Sequence, residues 1–246
     1  MIIDVLTLFP KMFEGPLSES MLKRAAAKGA VTVRVHDLRD FSRDKHRKAD
    51  DRPFGGGPGM ILSIQPIGDA LTRLKRKGPR PFVVLLSASG RRFDQRSARR
   101  LSKRKRLVLV CGHYEGVDAR IRRWIDEELS IGDYVLTGGE LPAMVVIDCV
   151  VRLLPGVLGH EDSNREESFS AIGGSAFGGE RGLLEYPQYT RPRVFRGLKV
   201  PEILFSGDHS RIAQWRLQKS LEKTLKARPD LIQKSQNSKV KSQKYK

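Results

Sequence analysis

The 246-residue sequence predicts an α/β protein with a mostly parallel sheet and covering helices, followed by a small helical C-terminal domain. Two observations predict the α/β part: the alternation of two kinds of segment, and the point in the chain at which it ends. Short apolar, β-branched runs alternate with segments of helical spacing, and this alternation ends near Gly159. A third observation predicts the second part: beyond a polar, glycine-rich stretch, another helical segment starts after Asp208, a residue that can cap it.

The elements of the first part follow one another in simple order. Strands are predicted at Ile2–Leu8, Val31–Val35, Phe82–Leu86, Leu107–Val110 and Glu128–Ile131. Helices are predicted at Met12–Lys28, Ile64–Lys77, Asp94–Lys103, Ala119–Trp124 and Leu141–Leu154. The last of these helices is almost wholly apolar, so we expect its burial by its own domain or by another subunit.

Changes in composition predict the domain boundaries. The α/β domain covers residues 1–158, and a polar, glycine-rich segment without periodicity predicts a flexible linker over residues 159–185. A helical domain follows over residues 186–230, where the helix runs to about Arg228 and Pro229 ends it. The last segment, 231–246, contains five lysines and no acidic residue, which indicates a disordered basic tail.

The charge balance indicates a polyanionic partner. Forty-six Lys and Arg residues face 28 Asp and Glu residues, a formal charge of +18, and nucleic acid is the partner this favours over a merely basic surface. The two cysteines lie in apolar surroundings without paired spacing, and the N-terminus lacks the features of a signal peptide. No apolar run reaches membrane-spanning length, so we expect a cytoplasmic protein with no membrane partner.

Common nucleotide-binding and catalytic signatures are absent. The dipeptide Gly-Lys does not occur, which excludes a P-loop, and Gly55–Met60 fails as a dinucleotide fingerprint because Met60 stands where the third glycine is needed. There is no Gly-x-Ser-x-Gly elbow of a serine hydrolase. The five histidines have no metal-ligand spacing, so no structural metal is predicted.

One segment is strongly basic. Arg91–Arg106 contains nine basic residues and the single acid Asp94, on a predicted helix and its flanks. A solvated helix face is the simpler explanation, but so many like charges repel one another unless an anion lies opposite. The segment therefore favours contacts with phosphates.

Six motifs occur in an order and spacing that resemble a known family. They are DDRPFGGGPGM from Asp50, CGHYEGVD from Cys111, SIGDYVLTGGELPAM from Ser130, PGVLG from Pro155, YPQYTRP from Tyr186 and QWRLQKSL from Gln214. Together they resemble the bacterial tRNA guanine-N1 methyltransferases of the SPOUT class, over about residues 1–228. Six multi-residue motifs in the right order are far more specific than a single glycine signature.

The resemblance implies a fold and partners beyond those indicated by the residues. It implies a deep trefoil knot near the C-terminal end of the α/β domain, a homodimer, and a C-terminal domain that binds tRNA. Chain topology rules argue against such threading, so the knot rests on the resemblance alone. The apolar helix Leu141–Leu154 fits a dimer interface and fits a monomer core equally well.

The resemblance also implies the activity and the cofactor. The family transfers a methyl group from S-adenosylmethionine to N1 of the tRNA guanine at position 37, next to the anticodon. Three loops and the start of the following helix would bind the cofactor, and their residues are Leu85, Leu86, Ser87, Gly112, Tyr114, Glu115, Ser130, Ile131, Gly132, Asp133, Tyr134, Val135, Leu136, Gly138, Gly139 and Pro142.

The composition of these loops suits that cofactor. S-adenosylmethionine has no phosphate and contains a positively charged sulfonium, which a neighbouring Lys or Arg would repel. The charged residues predicted in the loops are Glu115 and Asp133, and both are acidic. Tight glycine turns can present backbone amides and carbonyls to an adenine and a ribose, and each glycine is also compatible with a turn that needs positive φ.

The chemistry calls for a carboxylate base and a cation. N1 of guanine must lose its proton, after which negative charge spreads to O6. By the resemblance, the family's arginine falls on Arg152 and its catalytic aspartate falls on Glu167. Glutamate extends the carboxylate by roughly 1.5 Å. Glu166 and Asp162 are the alternative bases, and all three acids could instead only solvate a loop.

Two departures from the family leave alternatives open. The first is Glu167 in place of the family's aspartate, and the second is about ten extra linker residues between Phe169 and Gly182, which loop entropy tolerates. The alternatives are a SPOUT methyltransferase acting on another RNA and an RNA-binding relative without catalysis. The family is also associated with Mg²⁺, but no carboxylate cluster in the sequence identifies a site.

Overall fold

The computed structural model describes residues 1–158, 167–170 and 182–232. The predicted linker and tail fall largely outside these residues, as do the alternative bases Asp162 and Glu166. The chain divides into two compact units, Met1–Gly159 and His160–Lys246.

The first unit is built on a parallel sheet. Its strands are β1 (Ile2–Thr7), β2 (Thr32–Asp37), β5 (Phe82–Arg92), β6 (Arg106–Cys111) and β7 (Glu127–Ser130), in the spatial order β2-β1-β6-β5-β7. A separate antiparallel pair joins β3 (Asp50–Asp51) to β4 (Ile61–Leu62). All six residues of β6 are buried, as expected for a central strand covered on both faces.

Helices cover both faces of the sheet. The helices of this unit are α1 (Glu14–Leu17), α2 (Ser20–Ala27), α3 (Ile64–Lys75), α4 (Gln95–Ser102) and α5 (Glu140–Val151), and 3-10 helices span Pro10–Phe13, Leu38–Phe41 and Ala119–Arg123. Apolar residues of α2, α4 and α5 pack on one face of the sheet. The α3 helix packs on the other face. This three-layer arrangement confirms the predicted α/β class.

Three predicted elements differ from the structure. The helix predicted at Met12–Lys28 is wrong as one element: it is divided into a 3-10 turn, α1 and α2. Gly15 and Pro16 weaken helical continuity there, and Ser20 has a left-handed φ of 52°. Ala119–Arg123 forms a 3-10 helix, and β5 continues past Leu86 to Arg92.

The second unit contains one long helix and a hairpin. Helix α6 (His209–Ala227) follows Asp208, whose side chain caps the helix by accepting a hydrogen bond from the Arg211 amide. The antiparallel strands β8 (Val194–Phe195) and β9 (Leu198–Lys199) form the hairpin, which the sequence did not indicate. Short 3-10 helices span Glu202–Phe205 and Pro229–Leu231. The predicted cap and end of α6 are confirmed.

Candidate functional site

Three loops enclose a cavity at one edge of the sheet. One is the irregular segment inside β5 after Leu86, and the other two follow the parallel strands β6 and β7 at the same edge, the usual position of ligand sites in such sheets. We call this space the loop cavity, and its volume is about 360 Å³.

The loop cavity brings together fifteen of the sixteen residues predicted to bind the cofactor. They are Leu85, Leu86, Ser87, Gly112, Tyr114, Glu115, Ser130, Ile131, Gly132, Tyr134, Val135, Leu136, Gly138, Gly139 and Pro142. Asp133 does not line the cavity, although it belongs to the same loop. The sequence motifs therefore converge in space, even though they lie as much as 57 positions apart, from Leu85 to Pro142.

Backbone contacts fix the loops to one another. The Gly139 amide donates to the Gly112 carbonyl at 2.7 Å, and His113 pairs with Gly138 as an isolated antiparallel bridge. A Cβ on Gly139 would lie 2.7 Å from the Cys111 α-carbon and 2.8 Å from the Gly112 amide nitrogen. The absence of a side chain at Gly139 is therefore required for this close approach.

An irregularity in β5 supplies one wall of the loop cavity. Leu86 and Arg91 both align with Leu129 of β7, so the residues between them leave the regular register. Ser87, Ala88 and Ser89 line the cavity from this segment. The Ser89 hydroxyl donates to Glu128 at 2.7 Å. The apolar pattern of the sequence predicts β5 as far as Leu86, but it does not predict the irregular segment that follows.

The sequence predicts that the charged residues of the cofactor loops are all acidic, and the structure differs from this in part. Glu115 and Glu128 line it as acids, but Arg122 lines it as well. The sequence pointed to neither Glu128 nor Arg122, because both lie outside the predicted loops. Two carboxylates against one guanidinium still leave the lining without an excess of positive charge, which is compatible with a cationic ligand.

His113 occupies the wall between two other rings. Its centroid lies 4.8 Å from that of Phe9 and 4.8 Å from that of Tyr114. Tyr114 itself has a left-handed φ of 60°, an unusual conformation for a non-glycine residue. Burial, followed by the charge of Asp50, raises the pKa of Tyr114. The sequence placed His113 within a predicted loop but gave it no role of its own.

A buried carboxylate supports the loop cavity from below. Glu140, the first residue of α5, is 2% exposed and accepts a hydrogen bond from the Thr7 hydroxyl. A Cβ on Gly138 would overlap the Glu140 carboxylate and approach His113. Burial and then the charge of Glu140 raise the pKa of Cys111 well above its ordinary value, so this thiol remains protonated within the core.

The two predicted catalytic residues do not line the loop cavity of their own chain. Arg152 lies at the C-terminal end of α5 in the first unit, and Glu167 lies in the second unit, where its carbonyl accepts from the Ser170 amide at 3.1 Å. Both side chains are partly buried.

Internal ion pairs account for part of the basic segment Arg91–Arg106. Arg91 and Arg100 both pair with Glu127. Arg106 is 2% exposed and pairs with Asp4. These three arginines therefore have anionic partners elsewhere in the chain, and the repulsion argument for phosphate contacts does not need them.

The described part of the chain contains neither a candidate metal-ion site nor a membrane-spanning helix. Within residues 1–158, 167–170 and 182–232, no group of three or more His, Cys, Asp and Glu side chains is arranged to hold a metal ion. None of the helices in the described part of the chain has the length and apolar character needed to cross a membrane.

Comparison with known proteins reveals close relatives. The family model described as tRNA (Guanine-1)-methyltransferase TrmD matches residues 1–234. A protein named tRNA (guanine-N(1)-)-methyltransferase from Caldanaerobacter subterraneus subsp. tengcongensis is 57% identical over 235 residues, covering 96% of this chain and 93% of the relative. A protein of the same name from Dictyoglomus turgidum is 54% identical over 233 residues, covering 95% and 90%.

A solved structure is also similar. The crystal structure of tRNA (m1G37) methyltransferase from Aquifex aeolicus aligns with a TM-score of 0.74 and 39% sequence identity. The alignment covers 94% of each chain. The similarity therefore extends over both units of the chain.

Proposed function

This chain belongs to the tRNA (guanine-1)-methyltransferase family, and we propose that its loop cavity is where S-adenosylmethionine binds for methylation of tRNA. The enzyme is an S-adenosylmethionine-dependent tRNA (guanine-N1)-methyltransferase. The observation that carries the proposal for the site is the convergence of the predicted loop residues around one cavity.

The size and chemistry of the loop cavity fit this cofactor. A volume of about 360 Å³ lies within the range of small-molecule sites. The closely packed glycine backbones provide amides and carbonyls for an adenine edge, and the lining has no excess of cations to repel a sulfonium. When bound, S-adenosylmethionine supplies an electrophilic methyl group.

The residues of the chain would then prepare the guanine. Glu167 would accept the N1 proton, since the N1 lone pair is otherwise unavailable to attack the methyl carbon. Arg152 would donate to O6, where the negative charge collects after deprotonation. These roles come from the family motifs and from the chemistry of guanine.

A homodimer would explain the position of Arg152. Leu141 is 52% exposed and Val145 is 42% exposed, which is unusual on so apolar a helix. Leu141 and Val145 are one helical turn apart on α5, and Arg152, which caps the helix, follows on the same face about two turns later. We propose that this face packs against a second copy, so that each Arg152 serves the loop cavity of the other subunit.

The remaining features of the proposal concern the RNA. The Aquifex relative is named for m1G37, and we infer that position 37 is the target here too. Residues 186–230 would form the tRNA-binding domain, and the cytoplasm, where tRNA is found, would be the location. The family's association with Mg²⁺ predicts that chelation by EDTA slows transfer.

Nucleoside analysis of a methylated tRNA transcript tests the proposed function. The wild-type chain should form N1-methylguanosine in a transcript with guanine at position 37 and none when adenine replaces it. Binding of S-adenosylmethionine without transfer to the tRNA would favour the alternative of another RNA substrate. Binding of tRNA without transfer to any RNA would favour an RNA-binding relative that has lost catalysis.

A further inference from the structure

The second unit contains a cavity of its own. It lies between the extended segment from Tyr186 to Arg193 and helix α6, and its volume is about 420 Å³. Four aromatic residues and three arginines contribute to its lining, namely Tyr186, Tyr189, Phe205, Trp215, Arg191, Arg193 and Arg216. We call it the aromatic cavity. None of the residues that line it is acidic.

Two of the rings form an open platform. The centroids of Tyr189 and Trp215 lie 6.4 Å apart, and their planes meet at 49°. Tyr189 is 48% exposed, although burial of such a ring within a small domain would be favourable. A planar ligand could therefore stack on Tyr189 with one edge directed towards Trp215.

Guanidinium groups already stack on the other two rings. The Arg193 guanidinium lies 4.2 Å from the centroid of Phe205, and the Arg216 guanidinium lies 4.8 Å from that of Tyr186. Such stacking orients the plane of a guanidinium, whose N–H groups lie along its edge. Those donors match the oxygens of a phosphate.

The charge of the surrounding unit favours a polyanion. Between Gly182 and Ile232 there are ten Lys and Arg residues and five Asp and Glu residues, an excess of five positive charges. Aromatic grooves also bind proline-rich peptides. The three arginines and the lack of acidic lining residues favour a ligand with both a flat ring and a phosphate.

We propose that the aromatic cavity holds one unstacked nucleotide of the tRNA, with its base on Tyr189 and Trp215 and its phosphate beside Arg193 or Arg216. This inference rests on the proposed function, because it supposes that RNA is the substrate. It assigns to the second unit a specific role, the capture of a single-stranded nucleotide, in addition to general attraction of the backbone.

Binding of an anticodon-arm RNA to the full-length chain tests this role. Tyr189→Ala should weaken binding roughly tenfold, the typical effect of losing one base–aromatic stack, whereas Tyr189→Phe should stay within about twofold. The chain has two tryptophans, so a Trp124→Phe background isolates the fluorescence of Trp215. The RNA should quench that fluorescence.

A set of RNAs with single abasic sites then identifies the base. One of these RNAs should bind the wild-type protein about as weakly as the intact RNA binds the Tyr189→Ala variant. The same abasic RNA should bind the Tyr189→Ala variant little more weakly than the intact RNA does. If every abasic position weakens both proteins equally, no base stacks on Tyr189 and the proposal is overturned. Quenching of Trp215 by a proline-rich peptide at lower concentrations than by RNA would overturn it as well.

Two controls separate this inference from the proposed function. The affinity for S-adenosylmethionine should be unchanged by Tyr189→Ala, because the aromatic cavity and the loop cavity share no lining residue. The wild type could form N1-methylguanosine normally while every abasic position lowers RNA affinity equally in the wild type and in Tyr189→Ala. That result would refute only the nucleotide site. Failure of the wild type to methylate any tRNA would refute only the proposed function, since the binding comparison needs no methyl transfer.

Discussion

The hydroxyl of Thr7 donates a 2.7 Å hydrogen bond to Oε1 of Glu140, which connects the end of β1 to the first turn of α5 beneath the loop cavity. Thr7 also accepts from the Phe9 amide at 2.8 Å. A carboxylate at this position is further stabilised by the positive end of the helix dipole. A small polar network, buried at Thr7 and Glu140 and partly buried at Phe9, thus holds the end of β1 against the start of α5.

Thr7→Val should destabilise the fold and weaken cofactor binding. It leaves the Glu140 carboxylate without this donor and the Phe9 amide without this acceptor, at a cost of about 1–3 kcal/mol per buried group. Thr7→Ser keeps the hydroxyl and should cost less than half as much. Urea unfolding and titration with S-adenosylmethionine measure the two effects. Little loss in Thr7→Val together with a larger loss in Thr7→Ser would show that the methyl group matters and the hydrogen bond does not.

Gly139→Ala should weaken S-adenosylmethionine binding by roughly tenfold or more, a loss of about 1.4 kcal/mol. Its methyl group would meet backbone atoms of Cys111 and Gly112, which cannot rotate away. The control is Gly68→Ala in α3, where nothing lies within 4 Å of the added carbon. Calorimetric titration should give wild-type affinity for Gly68→Ala. An unchanged affinity for Gly139→Ala would mean that the contact between the loops can relax without disturbing the cofactor.

Much of the fold and most of the loop cavity followed from the sequence. Apolar runs predict the inner strands β1, β6 and the first half of β5 well, because parallel strands buried on both faces are almost uniformly apolar. Apolar periodicity does not predict the break between α1 and α2, where Glu19 is extended and Ser20 has a left-handed φ of 52° although the apolar spacing continues through both residues. The family motifs identified the glycine loops. They gave no indication of Glu128 or Arg122, whose positions depend on how three distant loops pack together.

The basic segment shows why charge alone was a poor guide. Counting residues predicts repulsion within Arg91–Arg106 but cannot reveal that Arg106 points into the core towards Asp4, or that Glu127 lies between Arg91 and Arg100. Those partners are 102, 36 and 27 positions away in the chain. Long-range pairing of this kind is decided by tertiary structure.

Glu167→Ala should slow methyl transfer by about 10²–10⁴-fold, the usual contribution of a general base. Glu167→Asp restores the residue type expected from the family and should retain much of the activity. Glu202→Ala removes an exposed carboxylate from the same unit and serves as the control. The measurement is single-turnover transfer to tRNA at saturating S-adenosylmethionine. Transfer at the wild-type rate by Glu167→Ala would exclude this residue as the base.

Asp4→Asn should be strongly destabilising at neutral pH. Burial raises the pKa of Asp4, but hydrogen bonds from His36 and Arg106 lower it further, so the net shift is downward. Breaking such a buried pair typically costs about 3–5 kcal/mol because the remaining charge is left uncompensated. Asp69→Asn removes an exposed partner of Arg43 and should cost about 1 kcal/mol or less.

The same carboxyl group makes stability depend on pH. Because the folded-state pKa of Asp4 is lowered, its contribution is fully present above the unfolded pKa of about 3.9 and is lost as pH falls through the folded value. Urea unfolding at several pH values between 6 and 3 should therefore show a smaller acid loss in Asp4→Asn than in the wild type. Parallel pH curves for the two proteins would contradict this account.

Hydrogen–deuterium exchange of the full chain with and without S-adenosylmethionine tests most directly whether the loop cavity is the cofactor site. The ligand should slow exchange in the three loops around residues 85–90, 112–117 and 130–139, and leave the segment 186–193 of the aromatic cavity unchanged. Slower exchange in segment 186–193 with no change in the three loops would contradict the assignment of the cofactor to the loop cavity.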